Sequence, residues 1–378
     1  MKIIVAPDSF KGSLTSIQAT QIIANAFEKV SSKFEVVKIP VSDGGEGFVD
    51  AIHFSTGGKL IEIIVSGPLP RQRIKSKFLI KDETAIIEMA SASGLTLVPK
   101  SKRNPKITTT YGVGELIKKA LDYNVKEIIV GVGGSATNDG GMGMASALGY
   151  KFLDKNGKEI QQGGINLLKL KKIDDSEIDQ RIKYVNFKVA VDVLNPLCGP
   201  EGASFTYAPQ KGARKSDLPL LDKALKKLAE AVKEKYEIDI ENLPGAGAAG
   251  GLAGGLVAFC NAKIVRGIDL FLDIVSFDEK IKNSKLIITG EGKIDSQVKY
   301  GKAIKGIIER AGNIPVLAIV GKIEGEPNEL ANMLGLTSII SMTHIGMKET
   351  QAIKKASKIL FDTSTQIAKI IKSLCLNN

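Results

Sequence analysis

Histidine, cysteine and tryptophan are nearly missing from this chain of 378 residues, which has two, three and none of them. His53 and His344 stand far from each other and from other candidate ligands, which excludes a histidine-rich metal site and a Ser-His-Asp arrangement. Cys198, Cys260 and Cys375 are odd in number, widely spaced and without a CxxC pair, so neither a disulfide framework nor a zinc knuckle is available. Three unpaired thiols fit a reducing cytoplasm. The start, MKIIVAPDSFKGS, reaches Asp8 after too short an apolar stretch for a signal peptide, and no export is expected. The one charge-free run of membrane length, LPGAGAAGGLAGGLVAFCNA at 243–262, is opened by leucine and proline and has few large apolar side chains. A buried glycine-rich turn and helix is expected there instead of a membrane span. Arginine is scarce too: the net charge of +11 comes from 52 basic against 41 acidic residues, and only seven of the 52 are arginine. Lysines scattered along helices, with no tryptophan beside them, describe a solvated surface instead of a nucleic-acid face. An anionic small-molecule ligand is equally compatible.

What is present is ordinary globular usage, 43% hydrophobic and 25% charged, on a chain long enough for about two domains. Short β-branched apolar runs at 2–6, 35–39, 85–89, 127–131, 188–191, 286–289, 316–320 and 338–341 lack strict alternation, the mark of parallel strands buried on both faces. Amphipathic helical patterns at 16–30, 114–123, 218–236, 302–311 and 350–374 lie between them. The fold class is therefore α/β. Residues 59–79, with GPLPRQR, and 266–277 interrupt the rhythm and read as crossings between domains. The expected organisation is a discontinuous first domain, 1–67 plus 270–378, holding an inserted domain at 68–269.

Several of the strands end in loops of glycine, acid and hydroxyl residues, and ligands of open α/β sheets bind at such carboxyl ends. APDSFKGS (6–13) offers Asp8, Ser9 and Lys11 before a helix start, a setting for an anion, although N-capping explains the same letters. SDGGEG (42–47) places Asp43 and Glu46 beside glycines, for a cation, a hydroxyl proton or a plain capping box. GVGGSATNDGG (131–141) makes a phosphate nest of Gly133, Gly134, Ser135 and Thr137, without the spacing of a P-loop. Asp192 and Asn195 of DVLNPL form a possible general base or magnesium ligand with its orienting amide, or an Asx-turn. PQKGA with Lys211, the stretch around Gly247 and Gly250, and TGEGKID (289–295) with Asp295 each pair mobile backbone with a phosphate- or metal-binding side chain. Carboxylates, lysines and glycine loops without histidine are the groups of magnesium-dependent phosphoryl transfer.

Taken in order, APDSFKGS, SDGGEG, RNP with TTTYGVGELI, GVGGSATNDGGMGMASALG, DVLNPLCGPEGAS, APQKGA, PGAGAAGGL and TGEGKID resemble the bacterial glycerate kinases of the first type over nearly the whole chain. Thr110 and Lys293 stand where serine and arginine are expected, and keep the hydroxyl and the charge. The resemblance implies an α/β fold of two domains, a Rossmann- or flavodoxin-like parallel-sheet domain with an inserted mixed α/β domain, and an active site in the cleft between them. It implies phosphorylation of D-glycerate with ATP and Mg2+, 2-phosphoglycerate being favoured over 3-phosphoglycerate, although the residues alone do not choose between the hydroxyls. Within it Asp192 is expected as the base, with Asn195 beside it. Asp8, Asp43 and Asp295 are the acids for magnesium or the glycerate hydroxyls, and Lys11, Arg103 and Lys211 serve the anionic groups. Asp43 and Lys11 join Asp192 as catalytic candidates, and Asp43, Asp192 and Asp295 as metal ligands. A kinase for another short hydroxy acid, or a sugar-acid-sensing protein without turnover, is the competing expectation. No nucleic-acid or membrane partner is expected, and a homodimer is left open.

Overall fold

The computed structural model describes residues 1–294, 303–343 and 346–375. The strands are β1 (Lys2–Val5), β2 (Glu35–Lys38), β3 (Lys59–Ser66), β4 (Arg73–Lys81), β5 (Thr84–Glu88), β6 (Glu127–Gly131), β7 (Lys151–Leu153), β8 (Lys172–Asp174), β9 (Asn186–Val191), β10 (Lys263–Arg266), β11 (Leu286–Ile294), β12 (Val316–Ile323) and β13 (Ser338–Ser341). The chain divides into two compact units. The first holds Met1–Asp43, Asp50–Gly57 and Ile268–Asn378, and the second Gly44–Val49 and Gly58–Gly267.

The first unit is built on a five-stranded sheet in the order β13-β12-β11-β1-β2, every neighbouring pair parallel. Numbered within the unit this is the flavodoxin-like order 2-1-3-4-5, whose switch point lies between the first and third strands. Here that is the junction of β1 and β11, in register at Ile3 with Leu286 and Val5 with Ile288. β1 is wholly apolar after Lys2, as a strand covered on both faces must be. The helix Ser16–Val30 begins at a capping box in which Thr15 Oγ1 accepts the Gln18 N–H and the Gln18 side chain accepts the Thr15 N–H. Its Ala19, Ile23 and Phe27 bury against Ile3, Val5, Ile288 and Leu360.

The second unit has a six-stranded mixed sheet, β10-β9-β6-β5-β4-β3, parallel from β10 to β5 and antiparallel from β5 to β3. Its core gathers Phe78, Ile87, Ile128, Val130, Val189 and Phe259. The glycine-rich run that had membrane length forms a buried turn and the helix Leu252–Cys260. No helix among the described residues is long and apolar enough to cross a membrane.

Three expectations change. Residues 59–79 form an antiparallel hairpin of β3 and β4, pairing Lys59 with Ile80 and Ser66 with Arg73. That ladder puts 59–67 with the second unit, so the break falls near Gly58 and not after residue 67. The C-terminal helix is broken into Glu349–Lys354 and Ala356–Cys375, because Lys355 leaves the helical region with φ −106° and ψ 9°.

Candidate functional site

At the switch point of the first unit, β1 continues past Val5 along β11: Ala6 N–H donates to Ile288 O at 2.7 Å and Asp8 N–H to Gly290 O at 2.8 Å. The chain then turns sharply over Gly12, with Phe10 N–H bonded to Leu14 O at 2.9 Å. This delivers Asp8, Ser9 and Lys11 to a cavity of about 790 Å3 that Asp43, Glu291, Lys293, Lys322, Glu324 and Thr343 also line. Burial first, then the neighbouring Asp43 and Glu291 carboxylates, push Asp8 up to about 8, against the Ser9 N–H and Lys11. Ser9 N–H donates to Asp8 Oδ1 at 2.6 Å. On the far wall Glu324 bridges Lys293 and Lys322, at 2.6 Å each, and these bonds hold its carboxyl down at about 2. Lys11 is exposed and Glu291 buried. A second cavity, of about 520 Å3, is lined by Lys29, Lys369 and Lys372, but Lys372 is tied to the Val30 carbonyl and Lys29 lies over the Phe361 ring.

In the second unit the carboxyl ends of β5, β6 and β9 lie side by side, with Glu88 opposite Gly131 and Gly131 opposite Ala190 in register. Glu88, the glycine nest and Asp192 therefore leave the sheet at one edge. Close approach of the SDGGEG loop explains two glycines at the end of β6: a Cβ on Gly131 would sit 2.6 Å from Gly44 O, and one on Gly133 2.5 Å from Gly45 Cα. Gly133 N–H donates to Gly44 O at 3.1 Å, and Glu88 Oε2 accepts the N–H groups of Gly47 and Val49 at 3.0 and 3.3 Å. Gly134 is exposed at φ +76°. Beneath it, buried Lys211 Nζ donates to Ser135 Oγ and Thr137 O, both at 2.7 Å. Burial brings this lysine down to about 7 although the Asp139 carboxylate pulls it upward.

Asp139 is itself buried, which raises its carboxyl, while N–H donors from Thr110, Gly141 and Gly143 and the Thr110 hydroxyl act the other way. Asn138 Nδ2 donates to Ser204 Oγ at 3.0 Å. These two residues brace the nest from behind.

Other expected site residues fall into two groups. Arg103 is half-buried beside the Lys211 turn, where a Cβ on Gly212 would lie 2.3 Å from the Arg103 carbonyl oxygen. Asp192 is half-buried directly after β9. Asn195 is taken up by its own loop, Nδ2 donating to Glu201 O at 2.7 Å and Oδ1 accepting the Tyr207 hydroxyl at 2.6 Å. Thr137, Gly247 and Gly250 are buried and touch backbone instead of an opening: a Cβ on Gly250 would lie 2.0 Å from Thr137 O, and one on Gly247 2.2 Å from Pro196 O. Asp295 lies outside the described residues. Glu88 and Glu291 were not among the expected residues, yet each is an acid closing or following an apolar strand run, the signal that marked Asp8 and Asp192.

A family-level profile described as Glycerate kinase family matches residues 3–372. The chain belongs to the glycerate kinase family. This glycerate kinase family member is 44% identical over 377 residues to a glycerate kinase of Bacillus cereus, covering 98% of each. It is 42% identical to a glycerate 2-kinase of Escherichia coli, covering 92% of each chain. A crystal structure described as a glycerate kinase 2, from Salmonella typhimurium LT2, superposes with a TM-score of 0.85 at 40% identity, over 99% of this chain and 98% of that one. The family makes the chain a kinase, which sets aside the expectation of a sensor without turnover.

Proposed function

We propose that this kinase transfers the terminal phosphoryl group of ATP to the 2-hydroxyl of D-glycerate, giving 2-phosphoglycerate. The observation that carries the reading is the glycine nest at the end of β6, a turn with Gly134 exposed, next to the hydroxyl of Ser135 and the buried amine of Lys211. Such a turn presents backbone N–H groups and a hydroxyl to phosphate oxygens, while the described residues supply no cluster of three or more His, Cys, Asp or Glu for a metal ion. The choice of the 2-hydroxyl is supported by the 42% identity to the Escherichia coli glycerate 2-kinase.

In this reading Gly134 and Ser135 hold nucleotide phosphates, Gly133 shapes the turn through its N–H bond to Gly44 O, and Ser9 and Lys11 serve the glycerate carboxylate and hydroxyls. Asp192 takes the proton of the attacking hydroxyl. The acid set fits Mg2+: burial first, and then the Asp43 and Glu291 carboxylates, raise Asp8, and all three are hard oxygen donors. Among the described residues no three acid, histidine or cysteine side chains are grouped to hold a metal ion by themselves, so phosphate oxygens would have to complete the magnesium shell. Asp43 of that set is the residue to hold it, and when bound it supplies neutralisation of phosphate charge.

An ADP-release assay with D-glycerate and MgATP, followed by phosphorus and proton NMR of the product, tests the reading. The expected signal is 2-phosphoglycerate, with Asp192→Asn losing about 10²-fold or more in kcat. A 3-phosphoglycerate product overturns the regiochemistry, turnover only with another hydroxy acid overturns the substrate, and near-normal kcat in Asp192→Asn removes that base.

A further inference from the structure

Among the described residues Lys211 is the one buried lysine, and its amine points inward at the underside of the nest. It does not reach an opening, so it is not built to touch a ligand itself. We propose that Lys211 is a positioning residue for the nucleotide: as an ammonium it turns the Ser135 hydroxyl proton out of the nest toward a phosphate oxygen, and as a neutral amine it draws that proton back. The inference rests on the reading of the nest as the phosphate seat.

Hydrogen-bond counting leads to this alternation. An ammonium has three donors and no lone pair, so Nζ donates to both Ser135 Oγ and Thr137 O, which lie at 2.7 Å. The Ser135 hydrogen is then left for an acceptor elsewhere, and Gly134 beside it is the exposed residue of the loop. A neutral amine has a lone pair and accepts the Ser135 proton, while one N–H still goes to the Thr137 carbonyl. The donor to the ligand is withdrawn.

The amine is poised between these states. Burial drives it toward neutrality, Asp139 toward the charge, and the balance leaves it at about 7. Asp139 is the charged group that acts on it among the described residues, and that carboxyl is held by Thr110, Gly141 and Gly143. The Arg103 main chain packs on the following Gly212. A phosphate seated on the nest adds negative charge above Ser135 and favours the ammonium.

The sign follows by linkage. Below pH 7 the amine is already charged and binding takes up no proton; above pH 7 binding must take one up, so affinity falls about tenfold per pH unit for one linked proton. Calorimetric titration of the intact protein with ADP, in two buffers of different ionisation heat, reads this directly. At pH 8 the nucleotide's own phosphates are fully ionised. The expected result is uptake of close to one proton at pH 8 and little at pH 6. Lys211→Met abolishes the uptake and flattens the pH dependence, and Lys211→Arg, charged throughout, does the same should the methionine variant not fold. Wild-type binding at pH 8 without proton uptake, or uptake that persists in the Lys211 variants, overturns the inference. Gly134→Val separates the two layers of the argument. If it weakens ADP while the wild type takes up no proton, the nest reading stands and the lysine role falls; if a folded Gly134→Val binds ADP normally, the nest is not the phosphate seat and both fall.

Discussion

Asp8 shows at the scale of one residue how the first unit concentrates charge. Its folded value of about 8 lies above the ordinary 3.8, so between those values the folded chain holds a proton that the unfolded chain has lost. Stability from this group is complete below about pH 4 and drains away as the pH rises through about 8. Asp8→Asn removes that dependence. Thermal melting at stepped pH should show the variant gaining on the wild type from pH 4 to pH 8, and parallel curves would mean that Asp8 ionises freely in the folded state. The position of Asp8 was legible in the sequence, since an acid directly after an apolar run lies at a strand's carboxyl end. What it faces was not: Glu291 is 283 residues away in the chain and meets it only because β11 pairs with β1. Lys211 was legible as a cation for phosphate, but its burial depends on tertiary packing that no local pattern announces.

Among elements, the parallel strands were the readable ones, because cover on both faces leaves runs such as IIV in β1 and EIIVG in β6. The hairpin of β3 and β4 escaped because it mixes Lys, Glu and Arg into half-exposed strands and joins them through a proline-rich turn that resembled a domain crossing. Three-residue strands such as β7 carry too little pattern to see. The glycine loops were visible as loops, yet their glycines serve different ends. Gly134 needs a left-handed φ of +76° but has only ordinary contacts, the nearest atom to a Cβ being Ala90 Cβ at 3.9 Å. Gly250 combines φ +67° with backbone 2.0 Å away. Gly134→Ala should therefore cost only left-handed strain, about 1–2 kcal/mol. Gly250→Ala adds overpacking of about 1–3 kcal/mol. Urea unfolding should rank them in that order, and equal midpoints would show that the Thr137 carbonyl yields freely.

For the whole molecule, the core around Val130 and the core around Ile288 share no member among the described residues, so each unit has a core of its own to draw stability from. Phe27, fully buried and tilted against Phe34 with ring centroids 5.5 Å apart, belongs to the first core. Phe27→Ala should cost the first unit about 3–5 kcal/mol. Hydrogen exchange should speed up in β1 and the helix Ser16–Val30 and stay unchanged in the helix Leu218–Tyr236 of the second unit; equal acceleration in both would show one cooperative block. The topology also has a consequence in time. In the first sheet β1 lies between β2 and β11, and it is made well before β11, which begins only at Leu286. At ribosomal speeds of about 5–20 residues per second, that separation is on the order of tens of seconds. During that interval Ile3, Ile4 and Val5 travel on the nascent chain with one edge of their strand unpaired, whereas every strand of the second unit is made by Arg266, before β11 begins.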